Sequence, residues 1–205
     1  MKKIAFLSQK GGSGKTTLAV HTAVVAQELG ERVVIVDTDI QQSATSWGES
    51  RQDGSPMVAT ASAIELDAVF DAASDEGMSL AIVDTAPHAA PDAARVANHV
   101  DLVVIPCRPT AFDLAAVSKA VEIVKAAGVK AVFVLSACPF RSPEINEARE
   151  ILGEYGLPVC PIDIVDRRAF SRAISTGRAV TEFESNGKAA SEIRELWNWL
   201  KKELK

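Results

Sequence analysis

Cysteine and histidine are scarce and scattered. Cys107, Cys138 and Cys160 form no C-x-x-C pair, and His21, His88 and His99 show no metal-ligand spacing. A cysteine–histidine metal framework or a disulfide scaffold is therefore not indicated, and three reduced, buried thiols are expected. Long apolar runs are also missing: no segment reaches the roughly 18 consecutive apolar residues of a membrane span. The start, MKKIAFLS, imitates a signal peptide, but its apolar run ends at Gln9-Lys10 without a small-residue cleavage site, so a cytoplasmic location is expected. Low-complexity linkers and internal repeats are absent too, and residues 1–205 read as a single domain.

What is present is ordinary globular material, 47% hydrophobic and 24% charged, enough for a substantial core. The net charge of −5 is unevenly spread. Residues 167–205 carry nine Lys+Arg against five Asp+Glu, a net of +4, while residues 1–166 carry 13 against 22, a net of −9. A basic tail is a candidate contact for a polyanion, or else a solvated face of mixed sign.

Valine- and isoleucine-rich runs alternate with amphipathic segments of helical length. That pattern predicts an α/β fold, a mostly parallel twisted sheet with helices on both faces. Strands are expected at 3–8, 32–37, 79–84, 101–106, 130–136 and 157–162, with a weaker one at 57–61. Helices are expected at 15–29, 43–51, 63–73, 90–98, 112–127, 143–155, 168–175 and 187–204. Gly30 and Gly128 follow helices as C-cap glycines do, and Ser142-Pro143 suits an N-cap followed by a first-turn proline.

The chemistry begins at FLSQKGGSGKTTLAV, residues 6–20. Its end, Gly14-Lys15-Thr16, is that of a phosphate-binding loop between a strand and a helix, but the pattern G-x-x-x-x-G-K-[ST] requires glycine where Gln9 stands. A second cation, Lys10, follows. Gly11, Gly12 and Gly14, with Ser13 among them, let backbone amides close on phosphate oxygens, and the helix from Lys15 directs its positive end at them. Lys15 is expected on the β and γ phosphates, with Thr16 on Mg²⁺ and Thr17 beside it. AIVDTAP places Asp84 at the end of an apolar strand, where a metal-holding aspartate belongs. VIVDTDIQQ ends in Asp37 and Asp39, either of which can orient an attacking water or cap the following helix.

KGGSGKTT with its early lysine, VIVDTDIQ and IVDTAP together resemble the ParA/MinD family of deviant Walker A P-loop ATPases. RRAFSRAISTGRAVTEF (167–183) also looks like the family's C-terminal segment, so the resemblance runs the length of the chain. It implies a P-loop NTPase domain using ATP and Mg²⁺, with Lys10 reaching across a homodimer to the nucleotide of the other subunit. It implies that Asp39 positions water near the metal and that 84–92 forms a switch. Ile40 stands where the family commonly has proline, and SACPF after the strand at 130–136 replaces a common asparagine near the base, leaving Ser136 or nearby backbone for that role.

No helix-turn-helix precedes Lys3, which resembles the small partition ATPases. The resemblance then implies non-specific DNA binding on the nucleoid, slow turnover stimulated by a partner, and a ParB-like or other cargo adaptor. Candidate phosphate contacts are Arg167, Arg168, Arg172, Arg178 and Lys188; each can equally form a surface ion pair. Two alternatives stand beside this one. The first is MinD-like membrane positioning through Ile193, Leu196, Trp197, Leu200 and Leu204, against which Glu192, Glu195 and Glu203 argue. The second is a P-loop metabolic ligase, for which no substrate-binding set is visible.

Overall fold

Most strand residues are buried, and alternate side chains go to opposite faces. In β1 (Lys2–Phe6), Ile4 and Phe6 join one core cluster while Ala5 joins another. Both faces are therefore covered, as a parallel sheet requires. The computed structural model describes residues 1–87 and 90–205. The remaining strands are β2 (Val33–Asp37), β3 (Met57–Thr60), β4 (Leu80–Asp84), β5 (Leu102–Cys107) and β6 (Lys130–Leu135). They form one sheet in the order β3-β2-β4-β1-β5-β6, with every pairing parallel.

Two helix layers flank it. On the Ile4/Phe6 face lie α1 (Lys15–Glu28), α2 (Ser43–Glu49), α7 (Arg168–Ile174), α8 (Val180–Phe183) and α9 (Lys188–Glu203). On the other face lie α3 (Leu66–Asp75), α4 (Ala90–His99), α5 (Ala111–Ala127) and α6 (Glu144–Gly153).

The expected elements recur with ends shifted by up to three residues, and three differences have physical reasons. The strand expected at 157–162 is reduced to a single bridge, Phe133 to Val159. Pro158 and Pro161 flank that bridge and have no N–H to extend a ladder. The weak expectation at 57–61 is a real edge strand, and α8 was not foreseen because four residues carry no periodicity. Pro143 caps α6 itself, so that helix begins one residue later than expected.

Three buried thiols are as expected. Burial pushes Cys107 and Cys138 up to about 12 and Cys160 to about 11. The terminal apolar stripe is spent inside the molecule. Ile193, Leu196, Trp197 and Leu200 are all buried, and α9 packs on α1. Among the described residues no helix is long and apolar enough to cross a membrane.

Candidate functional site

Strand register delivers the carboxylates to one edge. Asp37 pairs with Asp84 across β2 and β4, and Phe6 pairs with Asp84 across β1 and β4, so the loop leaving β1 opens beside both. Chain winding reverses at β1, with β2, β3 and β4 to one side and β5 and β6 to the other. The crevice beyond the strand ends at such a reversal is where open α/β sheets bind ligands. A cavity of about 680 Å³ lies there. It is lined by Gly11, Gly12, Gly14, Lys15, Thr16 and Thr17, by Asp39, and on the far wall by Ser136, Ala137 and the segment 164–168.

The loop is shaped by its neighbours. Gly14 has φ +96°, a left-handed conformation that glycine adopts without strain, so its need there is conformational. Ser136 Oγ donates to the Ser13 carbonyl at 2.6 Å, fixing the loop from below. That hydroxyl is thereby engaged under the phosphate loop. At Gly12, a Cβ would come within 3.3 Å of the Arg108 guanidinium, which lies over the loop.

The two lysines diverge. Lys15 is 6% exposed, and its ammonium donates to the Lys10 carbonyl at 3.4 Å. Burial lowers its pKa, opposed by the charges of Asp84 and Asp39. The Lys10 side chain is 35% exposed and turns to α5, where Nζ donates to Asp113 Oδ2 at 2.6 Å.

The three carboxylates separate by environment. Asp37 is fully buried and satisfied: it accepts from the backbone N–H groups of Asp39 and Thr45 and from the Thr45 hydroxyl at 2.9–3.1 Å. It therefore organises the turn into α2. Asp39 lines the cavity and accepts from the Gln41 N–H at 2.9 Å, leaving it the carboxylate of the pair that faces a ligand. Asp84 accepts from the Thr16 hydroxyl at 2.6 Å, while its Oδ1 is buried without a hydrogen-bond partner among the described residues. Burial foremost, with Asp37 nearby, raises Asp84 to about 7 against the opposing Thr16 hydrogen bond.

An orphaned, hard anionic oxygen beside a threonine hydroxyl suits Mg²⁺. Among the described residues no group of three or more His, Cys, Asp or Glu could hold a metal alone. Thr16 and Asp84 thus fit a cation that takes its other ligands from phosphate and water.

The basic residues expected to meet DNA do not form one uniform set. Arg167 is ion-paired with Glu192 at 2.6 Å and, with Arg168, lines the same cavity as the phosphate loop. Arg172 and Arg178 lie against the Phe183 ring at 5.6 and 5.0 Å, and Lys188 lies near Phe140. These three and Arg168 are exposed. Of the expected switch at 84–92, residues 88 and 89 lie outside the described residues. Sequence reading missed Arg108 and Asp113. Thr110-x-x-Asp113 has the spacing of a helix start, but nothing local ties it to Lys10.

The model of the CobQ/CobB/MinD/ParA nucleotide binding domain matches residues 4–180. The chain belongs to this ParA/MinD family of ATPases. Within it, the chain is 32% identical to the maintenance of carboxysome distribution protein A of Gloeobacter kilaueensis, over 98% of this chain and 93% of that protein. It is 26% identical to Protein ParA of Rhizobium radiobacter, covering 94% and 91%. Among solved structures, apo McdA of Cyanothece superposes with a TM-score of 0.82 at 16% identity, over 98% of this chain and 99% of that one, a likeness of fold. The mostly parallel sheet expected from the sequence is thus present, with every pairing parallel.

Proposed function

We propose that this chain is a Mg²⁺-dependent ATPase that dimerises on binding ATP, grips DNA without sequence preference in that state, and lets go after hydrolysis. Nucleotide state is then the signal and the position of a cargo the output. The observation that carries this reading is the divergence of two lysines in one loop. Lys15 turns into its own pocket, whereas Lys10 turns outward to α5. A cation there is available to a nucleotide held by a second copy, in the way an arginine finger acts in trans.

Within one subunit, Lys15 meets the β and γ phosphates, and the amides of residues 10–17 close around them. Thr16 and Asp84 would hold Mg²⁺, which would supply positive charge to offset the phosphates. Asp39 orients the attacking water, because Asp37 is already occupied in the turn. The basic segment with Arg168, Arg172, Arg178 and Lys188 supports DNA contact on the nucleoid of a cytoplasmic protein, and Arg167 joins it only by leaving Glu192. The name of the carboxysome-distribution relative supports a cargo whose position is controlled; in this reading a ParB-like or other adaptor brings the cargo and speeds a slow basal turnover.

Sedimentation with ADP or ATP, with and without non-specific duplex DNA, tests the reading. Wild type forms ATP-dependent dimers that carry DNA, and Lys10→Ala stays monomeric and free. Assembly indifferent to Lys10 with no DNA retained would overturn it. In the same assay Lys15→Ala loses ATP binding, and Asp39→Ala keeps its dimers while losing turnover. Normal hydrolysis by Asp39→Ala would remove the water-positioning role.

A further inference from the structure

The partner that Lys10 has within its own subunit is assigned no role by anything above. We infer that Asp113 is a positioning residue that holds Lys10 against its own chain and so sets how readily the ATP dimer forms. This rests on the proposed role of Lys10 in trans.

Asp113 is held in place whether or not Lys10 is there. It lies in the first turn of the 17-residue helix α5, where backbone dipoles favour an anion. Its Oδ2 accepts from the Thr110 hydroxyl at 2.5 Å, and Thr110 in turn caps the helix by accepting from the Asp113 N–H. The carboxylate is 7% exposed and held by its own helix, while the Lys10 side chain is 35% exposed on a loop with open space at Gly11. The anion is therefore a fixed post and the cation the movable member.

Direction follows from linkage. Any interaction Lys10 makes in the monomer subtracts from what it gains on a partner's phosphates. In a two-fold symmetric dimer two such pairs break, so the effect on the dimer constant is squared. The neighbour Phe112 is 83% exposed, so the helix start that carries Asp113 is an open, apolar-edged surface that a second copy can cover. Arg108, the other cation beside the loop, makes no ion pair with Asp113 among the described residues. Lys10 thus has no rival for that carboxylate there.

The test is sedimentation over a protein concentration series with Mg²⁺ and a non-hydrolysable ATP analogue. Asp113→Asn keeps an acceptor for Thr110 and should dimerise about tenfold more tightly than wild type, about threefold for each released pair. Asp113→Glu, which keeps the charge, should stay near wild type. The gain must be absent in Asp113→Glu, whose longer side chain disturbs the start of α5 while keeping the charge, which a purely structural effect on α5 would not allow. Should the Asn variant fold poorly, Asp113→Ser, also suited to a helix start, gives the same reading.

Dimerisation of Asp113→Asn equal to or weaker than wild type, with Lys10→Ala monomeric, overturns the inference and leaves the trans role intact. Dimerisation of Lys10→Ala like wild type removes both.

Discussion

His21 shows what one residue contributes when its surroundings are fixed. It is fully buried in α1, its Nδ1 accepts from the Val180 N–H at 3.2 Å, and its ring lies 5.2 Å from Phe170. Burial pulls its pKa down to about 3, against an unfolded value near 6.5. A base with a lowered folded pKa contributes stability that is complete above the unfolded value and is lost as pH falls from 6.5 toward 3. Chemical denaturation between pH 7 and 4 should show stability falling by about 1.4 kcal/mol per unit below pH 6.5 from this group. His21→Gln, which can still accept from Val180, should flatten that slope, and an unchanged slope would assign the acid loss elsewhere. The histidine's place was not legible in sequence, because neither Phe170 nor Val180 is near it in the chain.

Between elements, one arginine ties the end of α2 to the C-terminal segment at α8. Arg51, just past α2, has a side chain only 3% exposed. It makes a two-pronged pair with Glu182 at 2.7 and 3.0 Å, donates to the Gly177 carbonyl, and lies over the Trp47 ring. Truncating this buried guanidinium removes both prongs, the Gly177 contact and the packing over Trp47 at once, while Glu182, 27% exposed, keeps the Ala179 N–H. Arg51→Ala should cost about 3 kcal/mol and lower Tm by about 6–12 °C. Adding Glu182→Gln should recover part of the loss, since a carboxylate left with the Ala179 N–H alone is then gone. Recovery of nothing would mean that the packing over Trp47, not the charge, carries the effect. The helices themselves were legible from periodicity, but this fastening was not. Nothing in the local pattern pairs residue 51 with residue 182.

At the scale of the whole molecule, the proposed DNA grip depends on cations presented together by a dimer. Arg172 and Arg178 share the Phe183 ring and remain exposed, which pre-orders two guanidinium groups side by side. Duplex binding with ATP, followed by anisotropy at several salt concentrations, should lose about 0.9 in the slope of log K against log salt for each phosphate contact removed. Arg172→Ala with Arg178→Ala should therefore cut the slope by about two for each subunit in contact, equally for unrelated sequences. A loss confined to one sequence would point to base reading instead.

The sequence by itself determined the parallel α/β alternation, the phosphate loop and its extra lysine, and the carboxylates at two strand ends. Each is a local pattern whose periodicity or spacing is written in consecutive residues. Only the tertiary structure decided which carboxylate was spoken for. Asp37 and Asp39 are equivalent candidates in the sequence, and the difference is that Thr45 comes back to satisfy Asp37. It also decided that the Trp197 stripe is core and that Arg167 is paired with Glu192. Most telling is the meeting of Lys10 with Asp113, 103 positions apart, which the order of β1 beside β5 brings within 2.6 Å. Contacts of that kind arise from how strands are ordered in the sheet, and strand order is a property of the packed whole that no short stretch of residues encodes.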